Sequence, residues 1–279
     1  MKKTTIKKPE AIKWHHFSRR GDAIFLSLKK EIRISVLSVA TLAVACPNSS
    51  AAMMAMSQHP TMDEQSNSAS ASSSGGEDEL LDLTALQHGD LLFCVASPAR
   101  DGIAQAIVSV TEGIDLQRVS HVAIVCKESS GTYALEASDK HGVWLHPIQS
   151  FFEHCDHTPT GNPMVLLGRL KDTSNVAASV ERAKTYLGRP YDHQYMPSDS
   201  AIYCSELIHY SYFDAEGKEL FPQTPMSFHD KNGNITTFWK DYYRQWNMSV
   251  PEGWPGTNPG GISQSEKIEI IGKFFNDKT

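Results

Sequence analysis

Apolar and polar positions divide the chain into three unequal stretches. The first apolar run is ISVLSVATLAVA, residues 34–45, twelve residues without a charge. From Pro47 to about Asp82 the chain turns to Ser, Ala, Met and acids, as in SNSASASSSGGEDE. That stretch has too little periodic apolar content to offset the entropy of ordering it. From Thr84 the pattern becomes that of a packed domain. DLLFCVAS (90–97) is an apolar run with strand character, and GIAQAIVSVTEG (102–113) sets Ile103, Ala106, Ile107 and Val110 at helical spacing. SHVAIVCK, TYALEAS and HGVWLHP read as three short strands with turn residues between them, and IQSFFEH as a helical turn. PMVLLGRLK predicts a further strand, and SNVAASVERAKTYLG a helix capped by Ser174 and stopped by Gly188. After the polar loop RPYDHQYMPSDS come a helix over about 202–213, another in ITTFWKDYYRQW, and a last strand in EKIEIIGKF. Strands in runs with helices segregated around them make the fold class α+β.

Length and charge sharpen this division. The 279 residues are 40% hydrophobic and 21% charged, an ordinary globular composition that argues against collagen, wholesale disorder and a multi-span membrane protein. Residues 1–33 hold ten Lys/Arg against three Asp/Glu, net +7; residues 84–279 hold 16 against 23, net −7. An acidic body without a basic stripe repels a phosphate backbone, so nucleic acid is not an expected partner. The apolar run is shorter than the roughly 20 residues of a membrane span. Behind a basic flank and ending in Ala43-Val44-Ala45, it reads as a secretory signal with a small-residue cleavage site. The expected organisation is a signal peptide over 1–45, a Ser-rich flexible tether over 46–83 and one domain over 84–279. The expected location is outside the cytoplasm, in the periplasm or outer membrane of a Gram-negative bacterium.

Cys46 follows the cleavage site directly, as in a lipidation signal, but Leu42 sits four residues ahead of it where the usual pattern has three. A membrane tether through Cys46 and a plain cleaved terminus both stay open. The domain's Cys94, Cys126, Cys155 and Cys204 match no metal spacing and no small disulfide scaffold. Cys94 and Cys126, in apolar strand-like runs, are expected in the core, and no pairing follows from spacing.

The chemistry concentrates in SDSAIYCSELIHY. Cys204 falls in the first turn of a helix after a polar loop, where unpaired N–H groups and the helix dipole favour a thiolate. Such a nucleophile needs an imidazole to move the proton. His121 heads an apolar strand, from which it can protrude into a cleft. Glu136 lies inside another, among Tyr133, Ala134, Leu135 and Ala137, where a carboxylate needs a partner. His121 on the adjacent strand is that partner, with the carboxylate fixing its tautomer. His141, His146, His154 and His157 fit no ligand motif and read as solvated loop and strand histidines; no metal and no cofactor is expected.

HGDLLF, SHVAIV, ALEAS with GVWLHPIQSFF, and LGRPYDHQYMPSDSAIYCSELI, in that order, resemble the permuted papain-like amidases of the YaeF/YiiX type, circularly permuted relatives of NlpC-type cell-wall hydrolases. The resemblance runs from about Gly89 to Tyr212. It implies a circularly permuted papain-like fold, an antiparallel sheet or barrel packed on helices with the nucleophile at a helix N-terminus. It further implies Cys204 as nucleophile, His121 as base and then acid, Glu136 as the orienting residue, and the Cys204 N–H as an oxyanion donor. Tyr191 of GRPYD is a substrate-binding candidate, with loop packing as the alternative. Asp192 is read as a loop brace, and Gly89 and Asp90 as shaping the turn into the first strand.

The implied activity is an amide hydrolase working through an acyl-enzyme on a peptidoglycan peptide or a lipid-linked amide or ester. A thiol acyltransferase of the lecithin–retinol acyltransferase type, an inactive envelope binding module and a structural lipoprotein are the alternatives. The aromatic, Gly- and Pro-rich stretch within 214–265 lies beyond the resemblance and is assigned no role beyond a candidate wall of the site.

Overall fold

In the computed structural model the described residues are 80–198 and 200–276. The expected leader and nearly all of the expected tether lie outside them. Leu81 already belongs to the fold: its N–H donates to Lys273 O at 3.0 Å, and it packs on the second core cluster.

An open, antiparallel six-stranded sheet forms the centre. Its strands are β1 (Leu91–Val95), β2 (Val119–Glu128), β3 (Gly131–Ser138), β4 (Gly142–Pro147), β5 (Val165–Leu170) and β8 (Ile268–Lys273). The order is β4-β3-β2-β1-β5-β8, so β4 and β8 are edges and the sheet does not close into a barrel. β1 is buried along its whole length, which is why it reads as a continuous apolar run. Alternation sends Leu91, Phe93 and Val95 to one face, and Leu92 and Cys94 to the other. The first face is covered by α3 (Val176–Lys184) and α4 (Cys204–Ser211); the second by α2 (Ile148–His154) and Leu86.

A smaller aromatic cluster gathers Tyr195, Tyr203, Phe228, Trp239 and Tyr243 with Ala106. It joins α1 (Gly102–Val108) to α5 (Thr237–Arg244). The short strands β6 (Thr224–Pro225) and β7 (Pro255–Gly256) pair beside it, and α6 (Pro259–Ser263) follows.

Two expectations about helix ends change. The α3 cap is Asn175, not Ser174, whose N–H donates to Asp172 Oδ1 at 2.9 Å in the turn before the helix. Regular helix ends at Lys184, short of Gly188, whose N–H donates to Val143 O instead.

Two turns position the site. Gly89 has φ +81°, and a Cβ there would come within 2.1 Å of Val176 Cγ1. The next residue, Asp90, is buried and accepts from Gln87 N and from Arg169 Nε and Nη2, all at 2.7 Å. Both residues thus shape the entry to β1. At the other edge Gly142, φ +66°, lets the chain at Arg189 come close: an added Cβ would meet Arg189 O at 2.2 Å. Val143 N donates to Arg189 O and Ile202 N to Pro190 O. The loop that precedes α4 is therefore tied to the strand next to the one that carries Glu136.

Candidate active site

Cys204 is the first residue of α4, after a Tyr203 cap with extended backbone and no capping side chain. The first N–H groups of a helix lack intrahelical partners. α4 is amphipathic only weakly, since seven of its eight residues are buried between the sheet and its neighbours, and its start is fixed accordingly. Cys204 itself is 4% exposed.

His121 stands near the beginning of β2, across from Cys94 in β1. Its side chain keeps 24% of its exposure. Glu136, on β3, is buried as expected, and its Oε2 lies 2.5 Å from His121 Nε2. The expected pair is thus present.

The carboxylate has two further partners. Trp144 Nε1 donates to Glu136 Oε1 at 3.1 Å, and His146 Nε2 lies 2.9 Å from the same oxygen. Trp144 faces Glu136 directly in the β3–β4 register, and the His146 and Trp144 rings stack at 3.8 Å. His146 is 4% exposed and so is no solvated histidine. The reading as a solvated strand residue fails because its ring stacks on Trp144 and is bonded to a buried carboxylate. His141, His154 and His157 are exposed. The signal for His146 was the Trp-x-His alternation in HGVWLHP, which puts both side chains on one face; only the register shows that Glu136 shares it.

Electrostatics follow from this packing. Burial alone would lower the His121 pKa, but Cys204, by charge and hydrogen bonding, and Glu136 together hold the imidazolium well above its usual range. Burial would raise the Glu136 pKa; its hydrogen bonds to His121 and His146 instead hold it well below the carboxylate range. With Nε2 engaged by Glu136, Nδ1 is the ring nitrogen left for Cys204. Burial, with Tyr195 and Cys204 adding to it, keeps Tyr191 a neutral phenol far above pH 10.

A pH dependence of stability follows. The raised His121 pKa contributes stability that is complete below about pH 6.5 and is lost as pH rises through the folded value. The depressed Glu136 pKa contributes stability present above about pH 4.3 and lost as pH falls through its folded value. Urea midpoints from pH 3 to 9 are expected to decline at both ends, and less steeply in Glu136→Gln. Parallel profiles for the two proteins would refute the coupling.

The remaining singled-out residues find plain roles. Tyr191 borders the aromatic cluster, the cavity beside Cys204 and the cleft lined by His121 and Glu136. Asp192 braces its loop by accepting from Gln194 N at 2.8 Å and Met196 N at 2.6 Å. Cys94 and Cys126 are buried, and the Cys94 sulfur lies 3.3 Å from that of Cys155. From within 214–265, Met226, Phe228, Trp239 and Gly256 line the cavity beside Cys204. Among the described residues no group of three or more His, Cys, Asp or Glu side chains is placed to hold a metal ion, and no helix is long and apolar enough to cross a membrane.

Comparison with known proteins bears on this arrangement. A family model described as permuted papain-like amidase enzyme, YaeF/YiiX, C92 family, matches residues 85–271. Among solved structures the chain is similar to the crystal structure of metalloprotein yiiX from Escherichia coli O157:H7. The TM-score is 0.55 at 22% identity, over 68% of this chain and 98% of that one, a likeness of fold. No curated protein matches the chain.

Proposed function

Because the chain belongs to the permuted papain-like amidase family of the YaeF/YiiX type, we propose that it is an exported cysteine hydrolase that cleaves an amide through Cys204, His121 and Glu136. The observation that carries this reading is the chain of contacts itself: Glu136 holds one nitrogen of His121 at 2.5 Å while Cys204 acts on the same ring. The three residues come from β3, β2 and the start of α4, with the His strand ahead of the Cys helix, the order of a permuted papain-like domain.

The chemistry follows from these positions. Cys204 Sγ attacks the amide carbonyl, and the His121 imidazolium gives its proton to the departing nitrogen. Water, with His121 now acting as base, then hydrolyses the thioester. The Cys204 backbone N–H, at the first turn of α4, is the oxyanion donor, and the neutral Tyr191 phenol lies where it can line the pocket. The substrates are peptide or lipid-linked amides or esters of the cell envelope. Residues 1–45 direct export, the stretch from Cys46 to the start of the fold at Leu81 is the tether, and Cys46 is the first residue after cleavage.

Alkylation of the full chain by iodoacetamide, read by peptide mass spectrometry at pH 6.5, tests the reading. Cys204 is expected to react at least about tenfold faster than in His121→Ala. Equal rates would remove the activated nucleophile. The same spectra of protein isolated from the envelope should begin at Cys46; retention of residues 1–45 would refute export.

A further inference from the structure

The four cysteines of the described residues divide between the two faces of the sheet. Cys126 and Cys204 belong to the cluster under α3 and α4; Cys94 belongs to the cluster under α2, and Cys155 packs against it. Strand alternation causes the split. Cys94 shares its face of β1 with Leu92, whereas Cys126 shares its face of β2 with Val122 and Ile124. Within the first set no bond is in reach. Cys126 follows His121 by five residues in β2, about 17 Å along an extended strand. Cys204 is engaged with His121, so it stands well outside the roughly 7 Å that bridged Cα atoms allow.

Cys94 and Cys155 differ in this respect, because their sulfurs lie 3.3 Å apart. Cys94 is near the end of β1, opposite His121, and Cys155 is the residue at which α2 stops. Beside it Asp156 accepts from Ser97 N at 2.8 Å and from Arg100 Nη1 at 3.0 Å. The end of α2 therefore already rests on the chain that leaves β1. Both cysteines line the His121 cleft, a cavity of about 360 Å³; Cys94 is buried and Cys155 half-buried. A reagent entering the cleft meets Cys155 first.

We infer that Cys94 and Cys155 join in a disulfide that ties β1 to the end of α2, and that neither Cys126 nor Cys204 takes part in it. The sulfurs need to close by only about 1.2 Å to reach bonding distance. The oxidant is an external disulfide. Cys155 Sγ, as the thiolate, attacks one of its sulfurs, and the electron pair of the broken S–S bond leaves on the other. Cys94 Sγ then attacks Cys155 Sγ and expels the first. Two thiols of the chain are oxidised, and one disulfide is reduced to two thiols, which take up the two protons. Export, as proposed above, would bring the domain to where such oxidants act. The inference itself stands on the sulfur contact and is independent of the hydrolase reading.

Two consequences follow for the fold. The bond joins positions 61 residues apart, so it removes much of the freedom of the unfolded chain. It also fixes one wall of the His121 cleft, where Arg100 and Asp156 flank the two sulfurs.

The full chain, reduced and then exchanged into oxidised glutathione, tests this. Remaining thiols are blocked with N-ethylmaleimide in acidic denaturant, and the protein is digested without reductant by trypsin and Glu-C. Cleavage at Glu77 and Glu79 parts Cys46 from Cys94, so each cysteine falls on its own peptide. The expected product is the Cys94 peptide crosslinked to the Cys155 peptide, lighter by two hydrogens than their sum. The thermal midpoint is expected to be roughly 5–15 °C higher after oxidation. In Cys155→Ser, a change at a half-buried helix end, the oxidised and reduced midpoints should coincide. A crosslink from Cys94 to Cys126 or Cys204, maleimide on both Cys94 and Cys155 after oxidation, or Cys155 held only as its glutathione adduct would overturn the inference. So would an unchanged midpoint, or one that still rises on oxidation in Cys155→Ser, since another pair would then be responsible.

Discussion

Cys204→Ala is expected to lower amide turnover by about 10⁴-fold or more, while shifting the thermal midpoint by only a few degrees. The two expectations have different origins. Turnover falls because no other group near His121 can form the acyl intermediate; the neighbouring Cys94 faces Cys155, and its thiol is pushed well above its ordinary pKa by that contact and by burial. The fold survives because Ala is the strongest helix former and the change removes one sulfur from the first turn of α4. A third readout, independent of substrate, follows from the electrostatics. Cys204 is the main influence holding the His121 imidazolium above its usual range, so its removal should bring the His121 pKa down. An NMR titration of His121 in Cys204→Ala that matched the wild type would break the link between the two residues, whatever the activity.

The elements of this fold were largely legible because the central strands carry their burial in their own composition. LLFCV is buried throughout, and β3 is buried on both faces over Ala134, Leu135, Glu136 and Ala137. His121 and Glu136 could be paired from sequence because a carboxylate inside an apolar strand demands a partner. The third and fourth members of the cluster could not. Trp144 and His146 reach Glu136 only through the β3–β4 register, and a slip of one residue would send both to the other face. Helix ends were misplaced for a related reason. Ser174 has good capping chemistry, but it sits in a turn closed on Asp172 Oδ1, and the helix starts one residue later, after Asn175. The Cys204 cavity was hidden too: besides neighbours such as Tyr203 and Ser205, its wall draws on residues about 20 to 100 positions from Cys204, and β6 and β7 are two residues each. Elements that short leave no periodicity to read.

Replacing Glu136 separates positioning from stability. Glu136→Ala leaves the His121, Trp144 and His146 nitrogens around a buried gap with no acceptor. Breaking a buried charged cluster from one side costs about 3–5 kcal/mol. For a domain of this size that lowers the melting temperature by roughly 6–20 °C. Glu136→Gln keeps the shape but offers one acceptor oxygen in place of two. Trp144 and His146 both converge on the Oε1 position, so the amide oxygen settles there and the NH₂ faces His121. His121 must then present its Nε2 lone pair and carry its proton on Nδ1, the nitrogen that has to receive the proton of Cys204. The fold is kept, and the base is in the wrong tautomer. Turnover should therefore fall by about 10³–10⁴-fold in Glu136→Gln, with a melting temperature much closer to the wild type than that of Glu136→Ala. A Glu136→Gln enzyme within tenfold of wild-type kcat would show that the carboxylate acts through packing alone, and His121 would then need another partner to set its tautomer.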